Sequence, residues 1–146
     1  PAGAVIWLLA NTYLGDSSLL NSLATAIDPF ARGIGLDGII LTAFILGLPA
    51  NEIVLPIMIM GYLAEGALLE LDNLVALKTL LLDNGWTLMT ALSVMLFSLL
   101  HYPCSTTLLT IKKETGSLKW TFLGGIIPLV VSVLVLFILN LISAAF

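Results

Sequence analysis

The chain has 146 residues, 60% of them apolar and 10% charged, with a mean hydropathy of +1.14, where soluble domains carry about 25% charged residues. That composition excludes an ordinary soluble domain and places the chain in the membrane class. The formal charge of −4 arises mostly in loops and no basic patch points to nucleic acid, while the single cysteine, Cys104, excludes an intrachain disulfide.

Pro1–Gly15 is uncharged and apolar but short for a crossing, which takes ~20 residues for a ~30 Å hydrocarbon core. It lacks the basic start of a secretory signal peptide. Opening on Pro1 rather than Met, it reads as a helix cut from a longer parent chain. Ser17–Ile27 spaces Leu19, Leu20, Leu23, Ala24 and Ile27 at helical intervals, which predicts a short amphipathic helix at the interface. Asp28–Gly33 then reads as a turn.

Gly38–Ala64 carries no charge except Glu52, in the sequence Leu48-Pro49-Ala50-Asn51-Glu52-Ile53. A carboxylate inside a membrane-length apolar run costs roughly 2.5–3.5 kcal/mol on insertion scales, so it marks a functional site by default. Pro49 and Pro56 bracket it and predict a break into two half-helices. Glu65–Asp83 is an acidic loop whose leucines predict a helix along the surface. Asn84–Ile111 is a second span, interrupted late by His101-Tyr102-Pro103-Cys104-Ser105-Thr106-Thr107. Lys112, Lys113 and Lys119 mark a cytoplasmic loop. Trp120–Phe146 is the last span, with a bend expected at Gly124, Gly125 and Pro128. The expected fold is therefore an all-α polytopic membrane protein: three full spans, a truncated N-terminal one, and two interrupted segments. Lysine and arginine placement puts Arg32 and the lysine loop inside and Glu65–Asp83 outside.

Irregular backbone survives at membrane depth only where protein buries it or water lines it, and transporters build their ion and substrate sites on such breaks. The first break offers the Glu52 carboxylate and the Asn51 carbonyl. The second offers the His101 imidazole and the Cys104 thiol, three apart and so able to share a helical face, with hydroxyls from Ser105, Thr106 and Thr107. Pro49 and Pro103 set the two interruptions. Mixed oxygen, nitrogen and sulfur donors suit Fe²⁺, Mn²⁺ or Zn²⁺ better than Na⁺ or Mg²⁺. Bland readings stand beside these: a protonated Glu52 bonded to a neighbouring helix, His101 as a helix cap, Cys104 as core filler. An organic solute such as a nucleoside is the alternative cargo, and a packing or oligomerisation scaffold the alternative role. A Cys104–His101 enzyme is disfavoured, since residues so spaced on one helix attack poorly.

Ile27-Asp28-Pro29-Phe30-Ala31, Gly35-Leu36-Asp37-Gly38, Gly47-Leu48-Pro49-Ala50-Asn51-Glu52-Ile53, Asp83-Asn84-Gly85-Trp86-Thr87 and Pro103–Glu114 together resemble the C-terminal membrane region of the bacterial ferrous iron transport protein B (FeoB) family. The resemblance implies a multi-pass inner-membrane protein that moves Fe²⁺ into the cytoplasm, with gate modules reminiscent of nucleoside transporters. It also implies a separate N-terminal GTPase domain as partner, and a homo-oligomer is a further expected partner. No Gly-x-x-x-x-Gly-Lys-Ser/Thr motif occurs in this chain, so GTP is expected to bind only in that other domain, and no enzyme activity or tightly bound cofactor is expected here. The family's membrane cysteine and its Pro-x-Asn-Glu motif fall on Cys104 and on Pro49-Ala50-Asn51-Glu52.

Overall fold

The computed structural model describes residues 2–14, 17–63 and 73–145. In chain order these form α1 (Ala2–Asn11), a minimal antiparallel ladder of β1 (Tyr13–Leu14) and β2 (Ser17–Ser18), α2 (Leu19–Gly33) and α3 (Gly38–Leu46). A single 3-10 turn, Asn51–Ile53, leads into α4 (Val54–Leu63), followed by α5 (Leu74–Asp83), α6 (Leu88–Leu100), α7 (Ser105–Thr115) and α8 (Leu118–Ala145). The protein is an all-α polytopic membrane protein, as its composition predicts. Leu88–Thr115 and Leu118–Ser143 are each long and apolar enough to cross a bilayer, whereas α2 and α3 reach that length and apolarity only as a pair, bent by 108°. The acidic stretch from Glu65 to Asp72 lies outside the described residues.

The Ser18 hydroxyl caps α2 by accepting from Asn21 N–H, and the helix buries Leu20, Ala24 and Ala31 along one stripe. It does not end at Asp28, where a turn was expected, but runs on to Gly33. Pro29 withdraws one N–H, yet Asp28 and Arg32, four apart, pair across that turn. The buried Ile34 and Leu36 anchor the chain just beyond. The sharp bend then lays α2 across the start of α3, so closely that a Cβ on Gly38 would stand 2.0 Å from the Ala24 carbonyl oxygen.

The expected break in Gly38–Ala64 is present, and its consequence is larger than a kink. The chain leaves α3 at Gly47 and doubles back, so that α3 and α4 form a helical hairpin. Gly61 of α4 lies against Ile39 at the start of α3, its added Cβ falling 2.8 Å from Ile39 Cγ2. Tyr62 Oη donates to Asp37 Oδ2 and accepts from Trp86 Nε1, joining both ends of the hairpin to the start of α6. The segment read as a crossing thus returns to the side it entered. Both helices are apolar nearly all round and sit in the core, where Ile40, Phe44, Ile57 and Met60 meet Ile6, Leu20, Phe97 and Leu136 from α1, α2, α6 and α8.

One turn occurs twice. In the first, Gly35 (φ +75°) and Leu36 donate to Arg32 and Ala31 carbonyls, and the Asp37 carboxylate then caps α3 at Ile40 N–H. In the second, Gly85 (φ +81°) and Trp86 donate to Leu82 and Leu81, and the Thr87 hydroxyl caps α6 at Thr90 N–H. Each is a left-handed glycine stop followed within two residues by a fresh helix cap. The chain therefore reads twice as surface helix, turn, apolar helix, proline break; the first copy returns and the second continues.

From Trp86 the α6–α7 segment runs past the hairpin tip to Lys112 and Lys113, and α8 comes back as one helix through Pro128. The far part of α8 reaches the α2–α3 turn, where Asn140 Nδ2 donates to the Arg32 and Gly33 carbonyls. From Lys119 to Asn140 the helix rises ~32 Å, a full hydrocarbon thickness. Arg32 and the lysine loop consequently lie on opposite sides. The hairpin return, invisible to charge counting, shifts the expected orientation.

Candidate functional site

The two interruptions meet. Ser105 N–H donates to the Leu48 carbonyl at 2.9 Å, and Ser105 Oγ lies 3.4 Å from the Pro49 carbonyl. Tyr102 Oη adds a bond to the Phe44 carbonyl at the end of α3. Carbonyls released by the first break are thus satisfied by donors from the second, which is what membrane depth demands of irregular backbone. A groove of about 490 Å³ at this level is lined by Asn51, His101, Tyr102, Pro103, Ile127 and Pro128, among others. Pro128 lies near the midpoint of α8, so the meeting point stands at about half the membrane depth.

The first break is built from Gly47 through Ala50, with Ala50 extended (φ −155°, ψ 115°) before the 3-10 turn. Pro49 sits in it. Pro56 does not contribute, because it occupies the first turn of α4, where its missing N–H would find no partner within the helix in any case. Asn51 and Glu52 open the returning helix and are both exposed.

The second break runs from His101 to Cys104, extended at both ends (ψ 177° and 161°). Pro103 holds Tyr102 out of the helical region and offers no N–H to the Leu99 carbonyl four residues back. His101 and Cys104 therefore do not share a helical face, contrary to their spacing. His101 is 8% exposed and packs among Phe44, Phe97 and Tyr102, with ring centroids 5.1, 5.5 and 4.9 Å away. Its Nδ1 donates to the Ser98 carbonyl at 3.1 Å, which caps α6 and leaves Nε2 with a lone pair. That Nε2 is buried without a hydrogen-bond partner. Cys104 precedes α7 and is half-buried, its Sγ 3.3 Å from Thr107 Oγ1 and 3.7 Å from Thr106 Oγ1.

Glu52, Cys104 and His101 are brought to neighbouring breaks but not into a closed ligand shell. Among the described residues no three His, Cys, Asp or Glu side chains gather closely enough to hold a metal ion. What the level offers is a loose set of oxygen, nitrogen and sulfur donors beside a groove. His101 and Cys104 engage different partners, so they do not form a nucleophile–base pair. Three residues not read from the sequence as site residues tie the base of the hairpin to α6: Asp37, Tyr62 and Trp86. A hydroxyl ending one apolar run and an indole opening another were the available signals, and their bond joins residues 24 apart.

The family described as "Gate: Nucleoside recognition" matches residues 1–118. The chain is also similar to proteins named "Fe(2+) transporter FeoB" from Staphylococcus aureus strains MSSA476, MW2 and COL, at 31% identity over 92% of this chain. It spans 20% of the length of those relatives. No solved structure matches. The motif resemblance to the membrane region of FeoB is upheld by these similarities, and with four-fifths of its length matched the chain belongs to the Gate nucleoside-recognition family.

Proposed function

We propose that this chain forms part of the membrane pathway of a ferrous iron transporter in the bacterial inner membrane. The observation that carries the reading is the junction of two interrupted segments, Ser105 bonding Leu48 and Pro49 at mid-depth, with oxygen, nitrogen and sulfur donor side chains beside it. Fe²⁺ is cargo here. The Glu52 carboxylate draws it from water to the hairpin tip, with Asn51 as an oxygen donor. Cys104 and the unpaired Nε2 of His101 supply softer donors that favour a borderline cation over Na⁺ or Mg²⁺. The terminal carbonyls of α6 add negative potential at its end. Pro49, Pro103, Ser105 and Thr106 keep the two breaks open and joined. An incomplete shell suits transport, because an ion held by few ligands can leave. The partners in this reading are the bilayer, the remainder of the longer transporter with its GTPase domain, and other copies of the chain.

Glu52→Gln in the protein at its natural length should reduce Fe²⁺ uptake more than tenfold at unchanged protein level. Uptake at the original rate would remove Glu52 from the pathway. A second reading, transport of an organic solute, is favoured by the family's nucleoside-recognition description and by the groove of about 490 Å³, within the ~300–1,000 Å³ usual for small-molecule sites. Asn51, Glu52 and the Thr106 hydroxyl would then bond the solute.

A further inference from the structure

The hairpin stops at mid-depth, and what lies beneath its tip is a second groove. It holds about 650 Å³ and is lined by Leu48 of the tip, Tyr102, Leu108 of α7, and Leu118, Phe122 and Ile126 of α8, with Lys119 at its end. Its polar walls are already spent: the Leu48 carbonyl accepts from Ser105, and Tyr102 Oη donates to Phe44. Thr121 Oγ1 likewise donates to the Ser117 carbonyl, so apart from Lys119 the walls are almost wholly hydrocarbon. From Leu118 to Leu129, another lining residue, α8 rises ~16 Å, about half of a ~30 Å core and so the depth of one leaflet. Lys119 stands at the end of the groove. Lys112 and Lys113 lie in the last turn of α7 just before it in the chain, with Glu114 as the one carboxylate among them. The only ion pair among the described residues is elsewhere, between Asp28 and Arg32.

We propose that this groove seats an acyl chain of an anionic phospholipid, with the headgroup held by Lys119 and the chain end packed under Leu48 and Tyr102. Depth, apolar walls and a positive mouth select this occupant together. The lipid would lie beneath the tip of the re-entrant hairpin and would seal the junction of the two breaks from the bilayer. Gly125 helps to make the room: it lines the groove, and a Cβ there already meets Leu108 Cδ2 on the facing wall at 3.4 Å, so a longer side chain takes up space that the acyl chain would occupy. The lysine side is the one that positive-inside weighting assigns to the cytoplasm, where anionic lipids reside. The inference does not depend on which cargo is carried.

The test uses the natural-length protein in phosphatidylcholine nanodiscs with trace phosphatidylglycerol bearing a photoactivatable acyl chain, crosslinks being mapped by peptide mass. Labelling should fall on Leu108, Leu118 and Phe122, and be competed by unlabelled phosphatidylglycerol but not by phosphatidylcholine. Lys119→Glu should lower that yield at least fivefold. Gly125→Leu should abolish it, while labelling on Phe137 and Leu141, outward-facing on the far half of α8, stays constant. Equal labelling by both headgroup classes, insensitivity to Lys119→Glu, or crosslinks showing a protein segment in the groove would each overturn the proposal.

Discussion

At Cys104 a thiol precedes a helix and rests on two threonine hydroxyls, 3.3 and 3.7 Å away. A serine fits the same place and keeps an oxygen donor, so Cys104→Ser isolates the sulfur. If iron is the cargo and sulfur a ligand, Fe²⁺ uptake should drop several-fold while Mg²⁺ and Na⁺ remain excluded. Unchanged transport would favour the solute reading or an all-oxygen site. Asp28 gives a separate pH expectation. Its carboxylate accepts from Gly38 N–H, and this bond, ahead of the Arg32 pairing, holds its pKa below the ordinary range. A carboxylate lowered by folding contributes stability above its unfolded pKa of about 4 and loses it as pH falls through the folded value. Thermal melting of Asp28→Asn should therefore show a shallower decline below pH 4 than the parent. Equal slopes would deny Asp28 that role.

The proline breaks were legible because proline acts on its own neighbours: Pro49 and Pro103 remove a donor and restrict the preceding residue wherever they stand. The place of Glu52 beside the first break was legible for a similar reason, as the one charge in an apolar run. Pro29 misled because its effect was outweighed chiefly by burial of Ala31, Ile34 and Leu36, to which the exposed Asp28–Arg32 pair adds little. The hairpin return was not legible. It depends on Tyr62 meeting Asp37, 25 residues earlier, and no local pattern encodes that meeting. The same bond can be tested. Tyr62→Phe removes a donor to Asp37 and an acceptor for Trp86, leaving two part-buried polar groups unpaired, at about 1–3 kcal/mol each. The variant should melt several degrees lower, with a shifted Trp86 emission. A melt unchanged within error would mean that apolar packing alone closes the hairpin.

Taken as a unit, the protein wraps four helices around a buried apolar hairpin whose tip stops at half depth. Elements that read individually as crossings do not sum to the topology, because whether a run of apolar residues traverses or returns is decided by its neighbours. A returning segment contributes nothing to crossing parity, so whatever precedes it and whatever follows it share one compartment. Single cysteines placed at Thr25 on α2 and Asn84 after α5, in a Cys104→Ser background, should accordingly react with a membrane-impermeant maleimide from one face of sealed vesicles. A cysteine at Glu114 should react only from the other. Any scheme that threads Gly38–Ala64 straight through the bilayer assigns the first two labels to opposite faces, and so inverts the address of every loop after Leu63.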